Sequence, residues 1–147
     1  SLPFVTRIGE RLIMDMVATA LGLIQFNGEG LVPAIAQQHD SGEVLMLAWM
    51  NREAIASTLG TGRVCYWSRS RGTLWYKGES SGQVQRLVDF RVDCDGDTVL
   101  LLVEQTGVAC HTGRRSCMFR AIREAGVEEV YPVTVDPGSL YGQAKAT

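Results

Sequence analysis

The stretch Val88-Asp89-Phe90-Arg91-Val92-Asp93-Cys94-Asp95-Gly96-Asp97, followed by Thr98-Val99-Leu100-Leu101-Leu102-Val103, decides how the chain is read. Its first half alternates. Val88, Phe90, Val92 and Cys94 share one face and Asp89, Arg91, Asp93 and Asp95 the other, as a half-buried strand requires. Asp95-Gly96-Asp97 turns the chain, and Thr98 to Val103 returns as a buried strand. The alternation sets a thiol on one side of the segment and carboxylates on the other.

Working outward, Leu31 to Gln37 and Val44 to Met50 are apolar runs of strand length around His39-Asp40-Ser41-Gly42, which predicts a hairpin. Asn51 as cap, Glu53 in the first turn and Gly60 and Gly62 at the end bound a short helix. Arg63 to Ser68 and Thr73 to Lys77 are aromatic-rich strands around Arg69-Ser70-Arg71-Gly72. Arg7 to Ile24 has helical spacing and predicts an amphipathic helix leaning on the domain or on a partner chain. Phe119 to Ala125 is read as helical and Pro132 to Thr147 as a loose tail. The fold class is α+β: a β-rich single domain of antiparallel hairpins with short flanking helices.

A chain of 147 residues with 46% hydrophobic content supports one core, and a net charge of -2 argues against a broad phosphate-neutralising surface for nucleic acid. Ala18-Thr19-Ala20 resembles a signal-peptidase site, but Asp15 interrupts a run too short to span a bilayer. Ser1 in place of Met suggests a trimmed chain. Four cysteines without an export signal are expected as reduced thiols in the cytoplasm, with no membrane partner.

The chemistry concentrates at Asp93, Asp95 and Asp97 and at Cys94, Cys110 and Cys117. Hard oxygens suit Mg²⁺ and thiolates suit Zn²⁺. The cysteine spacing is not the paired C-x-x-C of common zinc modules, so a metal site and inert core positions both stay open. Cys65, in an apolar strand, reads as core. For the three acids a divalent ion and a solvated turn both stay open; an EF-hand loop is excluded, since Thr98 stands where its glycine belongs. His39 reads as a solvent-exposed turn residue. His111, beside Cys110, has the chemistry of a general base on a metal-activated water. Arg69, Arg71, Lys77, Arg114 and Arg115 are either solvated or a phosphate grip, for which arginine offers a bidentate fork. Trp67, Trp75 and Tyr76 are more often core aromatics than stacking platforms.

Taken in order, Tyr66-Trp67-Ser68-Arg69-Ser70-Arg71, Leu74-Trp75-Tyr76-Lys77-Gly78-Glu79 with Ser81-Gly82, Asp93-Cys94-Asp95-Gly96-Asp97, and Ala109-Cys110-His111-Thr112-Gly113 with Ser116-Cys117 resemble the phosphoribosyl-AMP cyclohydrolases of histidine biosynthesis. So do Val32 to Gln37 and Val44 to Ala48. The likeness covers roughly Leu31 to Phe119; Gln83 stands where the family often has histidine or asparagine, and Met118 where an aromatic is common. The resemblance implies a cyclohydrolase domain over 31–131, after a helical extension (1–30) and before a tail (132–147). It also implies a zinc-dependent hydrolase that opens the purine ring of 1-(5-phosphoribosyl)-AMP between N1 and C6.

By the same likeness Cys94, Cys110 and Cys117 would hold Zn²⁺, shared between the chains of a homodimer, and Asp93, Asp95 and Asp97 would hold Mg²⁺. His111 would be catalytic, and Trp67, Arg69, Arg71, Lys77, Arg114 and Arg115 would bind the substrate. About thirty residues follow Cys117, too few for the pyrophosphohydrolase domain some relatives carry, so a single activity is expected. A zinc nucleoside deaminase is excluded by the missing His-x-Glu and Pro-Cys-x-x-Cys. A structural zinc module binding protein or RNA is the remaining alternative.

Overall fold

A computed structural model describes residues 4–141. The elements run α1 (Phe4–Leu23), β1 (Val32–Gln38), β2 (Val44–Met50), α2 (Arg52–Thr61), β3 (Cys65–Ser68), β4 (Thr73–Tyr76), β5 (Gln85–Val92), β6 (Val99–Gln105), β7 (Arg120–Arg123), β8 (Gly126–Glu129) and α3 (Pro137–Tyr141). Among the described residues no helix is long and apolar enough to cross a membrane.

Local chemistry accounts for the early elements. The β1–β2 hairpin forms in the expected place, with Ile35 opposite Leu47 and Ala34 opposite Ala48. In α2, Asn51 accepts the Ala54 N–H through its side chain, and Gly62 at φ +77° donates its N–H to Thr58 O, satisfying orphan groups at both ends. The sheet order is β4-β3-β2-β1-β6-β5. Ala34, Ala36, Val99, Leu101 and Val103 form its buried face, which Ala20 of α1, Ile24 just after it, and Ala54 and Ile55 of α2 close. Ile35, Leu100 and Leu102 on the opposite face are half-buried and Leu47 is exposed.

The fold is α+β, and the expected antiparallel hairpins form as β1–β2, β3–β4 and β5–β6, while two other expectations are corrected. The sheet also holds one parallel pair, β1 with β6, Ala34 with Val99 through Gln38 with Val103. A parallel pair needs a long crossover, and here β2, α2, β3, β4 and β5 supply it. The alternation from Val88 fails locally, because the β5–β6 register shifts between Leu87 and Asp89, and β5 ends at Val92, before Cys94. The segment read as a helix over 119–125 is instead a β7–β8 hairpin, Ile122 facing Val127 around Gly126 at φ +121°. A seven-residue helix without caps is marginal, and strand pairing overrides its composition.

The segments that follow α1 and β8 are tied to loops. Gln25 N–H donates to Gly96 O at 2.7 Å, and a Cβ on Gly96, at φ +78°, would stand 2.3 Å from Leu23 O. From Pro132, read as a loose tail, Thr134 and Val135 donate backbone N–H groups to Gly113 O, and Val133 bridges Arg114. Residues 142–147 of that tail lie outside the described residues.

Gly96→Ala is expected to cost about 3 kcal/mol in urea unfolding, since strain at positive φ adds to a backbone clash. Gly62→Ala, at the same φ with nothing within 4 Å of its Cβ, is expected to cost about 1 kcal/mol. Equal costs would show that the end of α1 does not depend on Gly96.

Candidate active site

A cavity of about 920 Å³ opens beside β2 and β3, lined by Trp49, Trp67, Arg69, Arg71, Lys77, His111 and Cys117 among others. The β3–β4 turn builds one wall. Gly72, at φ +62°, donates to Ser68 O at 2.9 Å, and Ser68 Oγ accepts the Arg71 N–H at 3.2 Å. This tight turn presents two guanidinium groups to the opening. Arg69 stacks over Trp49 with Cζ 4.7 Å from the ring centre. Neither Arg69 nor Arg71 is in an ion pair among the described residues.

The facing wall is the loop from Val108 to Phe119. Ala109 N–H donates to Arg115 O, Cys110 N–H to Arg114 O, and Gly113 N–H to Cys110 O, closing the loop on itself. Cys117 N–H donates to Leu45 O at 2.7 Å and Ser116 Oγ to Val44 O at 2.7 Å, fastening its far end to β2. Cys110 is buried beside Cys117, and its Sγ lies 3.0 Å from Thr112 Oγ1. Burial, reinforced by Cys110, pushes the Cys117 thiol up to about 12. Burial pushes the Lys77 ammonium down, against the two sulfurs, which favour its charge.

The acidic turn lies outside the cavity. Carboxylate oxygens of Asp93, Asp95 and Asp97 all fall within 4.8 Å of one another. Asp93 Oδ1 accepts the N–H groups of Asp97 at 2.9 Å and Thr98 at 3.3 Å. Desolvation works against it, yet the hydrogen bonds from Asp97 and Thr98 hold Asp93 below the usual carboxylate range; the hydrogen bonds with Asp93 and Asp95 raise Asp97. Cys94 is exposed in this turn and forms no three-ligand group with Cys110 and Cys117 among the described residues.

The structure therefore gathers Trp67, Arg69, Arg71, Lys77, His111 and Cys117 around one cavity and leaves Arg114 and Arg115 off its walls. Arg114 donates to Tyr131 O and Glu129 and stacks over Phe119. Arg115 donates to Glu43 at 2.9 Å, to Gln105 O at 3.1 Å and to Gly107 O at 2.6 Å. His39, exposed as expected, reaches Glu104 at 2.7 Å, a partner 65 residues away that no local pattern announces. The supporting amides Gln38, Gln83, Gln85 and Gln105 escaped sequence reasoning because glutamine carries no burial signal of its own.

The family model for phosphoribosyl-AMP cyclohydrolase matches residues 46–119, which include both cavity walls. The chain is 67% identical to the phosphoribosyl-AMP cyclohydrolase of Paramagnetospirillum magneticum over 124 residues, covering 84% of this chain and 94% of that protein. The chain belongs to the phosphoribosyl-AMP cyclohydrolase family. It is thus an enzyme, and the same family name attaches to relatives from Alkalilimnicola ehrlichii, 65% identical over 92% of this chain and 93% of that protein. A third, from Acidiphilium cryptum, is 70% identical over 72% of this chain and 91% of its own length.

Arg115→Ala leaves two backbone carbonyls and Glu43 without their donor, and is expected to lower stability by about 2–3 kcal/mol in urea unfolding. An unchanged midpoint would show that the loop is held by its other bonds alone.

Proposed function

We propose that this chain hydrolyses 1-(5-phosphoribosyl)-AMP, opening the purine ring between N1 and C6, as a step of histidine biosynthesis. The observation that carries this reading is the cavity itself. It brings together His111, an imidazole able to act as a general base, Cys117, a thiol able to ligate a soft metal, and Arg69 and Arg71, which make no ion pair among the described residues, and it lies within the segment matched by the family model.

The donor set fits zinc. Cys110 is buried beside Cys117, and burial raises the Cys117 thiol, so a thiolate there calls for a soft cation as its partner. Cys94 of the partner subunit would complete the set, because within one chain Cys94 stands apart and exposed. The half-open sheet face with Ile35 and Leu47, and exposed Leu12 and Met16 on α1, offer a second copy apolar surface. Asp93, Asp95 and Asp97 fit Mg²⁺, since three crowded carboxylates on an exposed turn favour a hard divalent ion.

When bound, zinc supplies the Lewis acid that makes water a competent nucleophile near neutral pH. Arg69 and Arg71 grip phosphate oxygens through their forks, and Trp67 flanks the purine. His111 takes the proton of the attacking water on an imidazole nitrogen as the C6–O bond forms, and N1 gains a proton as C6–N1 breaks.

With phosphoribosyl-AMP as substrate, the absorbance of the ring-opened product should rise, stop on chelation and return with added zinc. His111→Asn should lower kcat about 10²–10⁴-fold with little change in KM. Arg69→Ala with Arg71→Ala should raise KM at least about tenfold. Full turnover and zinc content in Cys110→Ala would contradict the reading.

A further inference from the structure

Lys77 was expected among the cations that meet phosphate, but its surroundings suit another task. It follows β4 and is 7% exposed. Its backbone N–H donates to Val64 O at 3.0 Å, and Gly78 at φ +83° turns the chain so closely that a Cβ there would stand 2.4 Å from the backbone of Gln83. The stem is therefore fixed. Its Nζ donates to Ala109 O at 2.5 Å and lies 5.9 Å from the centre of the Trp75 ring.

No carboxylate pairs with this ammonium among the described residues. Cys117 lines the same cavity as Lys77, Cys110 directly follows the Ala109 carbonyl that its Nζ holds, and both sulfurs act on its charge. A buried cation without an anion is unfavourable, whereas one facing two metal-bound thiolates is compensated, and it offsets the excess negative charge of the sulfurs. Exposed Arg69 and Arg71, by contrast, are free to meet a phosphate.

We propose that Lys77 is a positioning residue: it fastens the loop that carries Cys110 through the Ala109 carbonyl and sets a positive charge beside the Cys110–Cys117 sulfur pair, so that the pair retains its metal. The metal half of this assignment rests on the zinc reading above; the loop half does not. Partners that orient metal ligands in this way typically contribute 10- to 100-fold, roughly, to metal affinity.

The test compares wild type with Lys77→Met in three measurements: amide hydrogen exchange over 109–117 in the metal-stripped protein, zinc retention against a chromophoric chelator, and kcat and KM. The expected result is faster exchange at the Cys110 and Gly113 amides, zinc held at least about tenfold less tightly, and a fall in kcat with KM within about threefold. Unchanged exchange and zinc retention with a tenfold rise in KM would overturn the proposal and return Lys77 to phosphate contact. Unchanged values throughout would overturn it too. If wild type binds no zinc while Lys77→Met still speeds loop exchange, the zinc reading fails and the loop assignment stands. Should Lys77→Met prove insoluble, Lys77→Gln, which keeps an N–H donor without the charge, tests the metal half alone: zinc held at least about tenfold less tightly with a lower kcat supports it, and unchanged zinc retention overturns it.

Discussion

The site depends on one buried amide at the end of β6. Gln105 Nε2 donates to Thr106 O at 2.8 Å and Gln83 O at 3.0 Å, while Oε1 accepts Gln85 Nε2 at 2.9 Å. Gln85 in turn accepts the Tyr66 hydroxyl at 2.7 Å, and the Gln105 N–H is taken by Gln38 Oε1 at 3.0 Å. In a low-dielectric interior such a network is strong when complete and costly when broken. It joins β1, β3, β5 and β6 just where the chain leaves the sheet for the loop that bears Cys110 and His111. Arg115 and Lys77 then secure that loop from outside the network, through the carbonyls of Gln105, Gly107 and Ala109.

Two glycines connect the periphery to this centre. Gly96 lets the end of α1 close over the acidic turn, and Gly113 receives Val133 to Val135 against the cysteine loop. Each sits at positive φ with a foreign backbone oxygen where a side chain would be. The segments before and after the sheet thus brace the carboxylates and the thiols respectively.

Features encoded locally were legible in the sequence: the β1–β2 hairpin, the caps of α2 at Asn51 and Gly62, and the aromatic strands β3 and β4. Arg69, Arg71 and His111 stood out as well, because arginines at a tight turn and a histidine beside a cysteine are chemistry without a packing motive, whereas Trp67, which by its residue type reads as a core aromatic, joins them on the cavity wall. Pairing between distant segments was not legible. Nothing in Ala34 or Val99 says that their strands run parallel, and periodicity cannot tell that Arg114 and Arg115 turn to Glu129 and Glu43. Lys77 read as a solvated or phosphate-gripping cation because a lysine ammonium is buried only where a partner waits for it, and the partner here, the Ala109 carbonyl, lies 32 residues away on another loop.

The central claim, a metal centre assembled from the Cys110–Cys117 pair of one chain and Cys94 of the partner subunit, is tested most directly by subunit complementation. Cys94→Ala and Cys110→Ala chains, each inactive alone, are unfolded together, refolded and assayed. Random pairing gives mixed dimers in which one of the two sites is intact, so the account predicts recovery of about a quarter of wild-type turnover, with zinc in proportion. Turnover no higher than that of either variant alone would contradict a shared site.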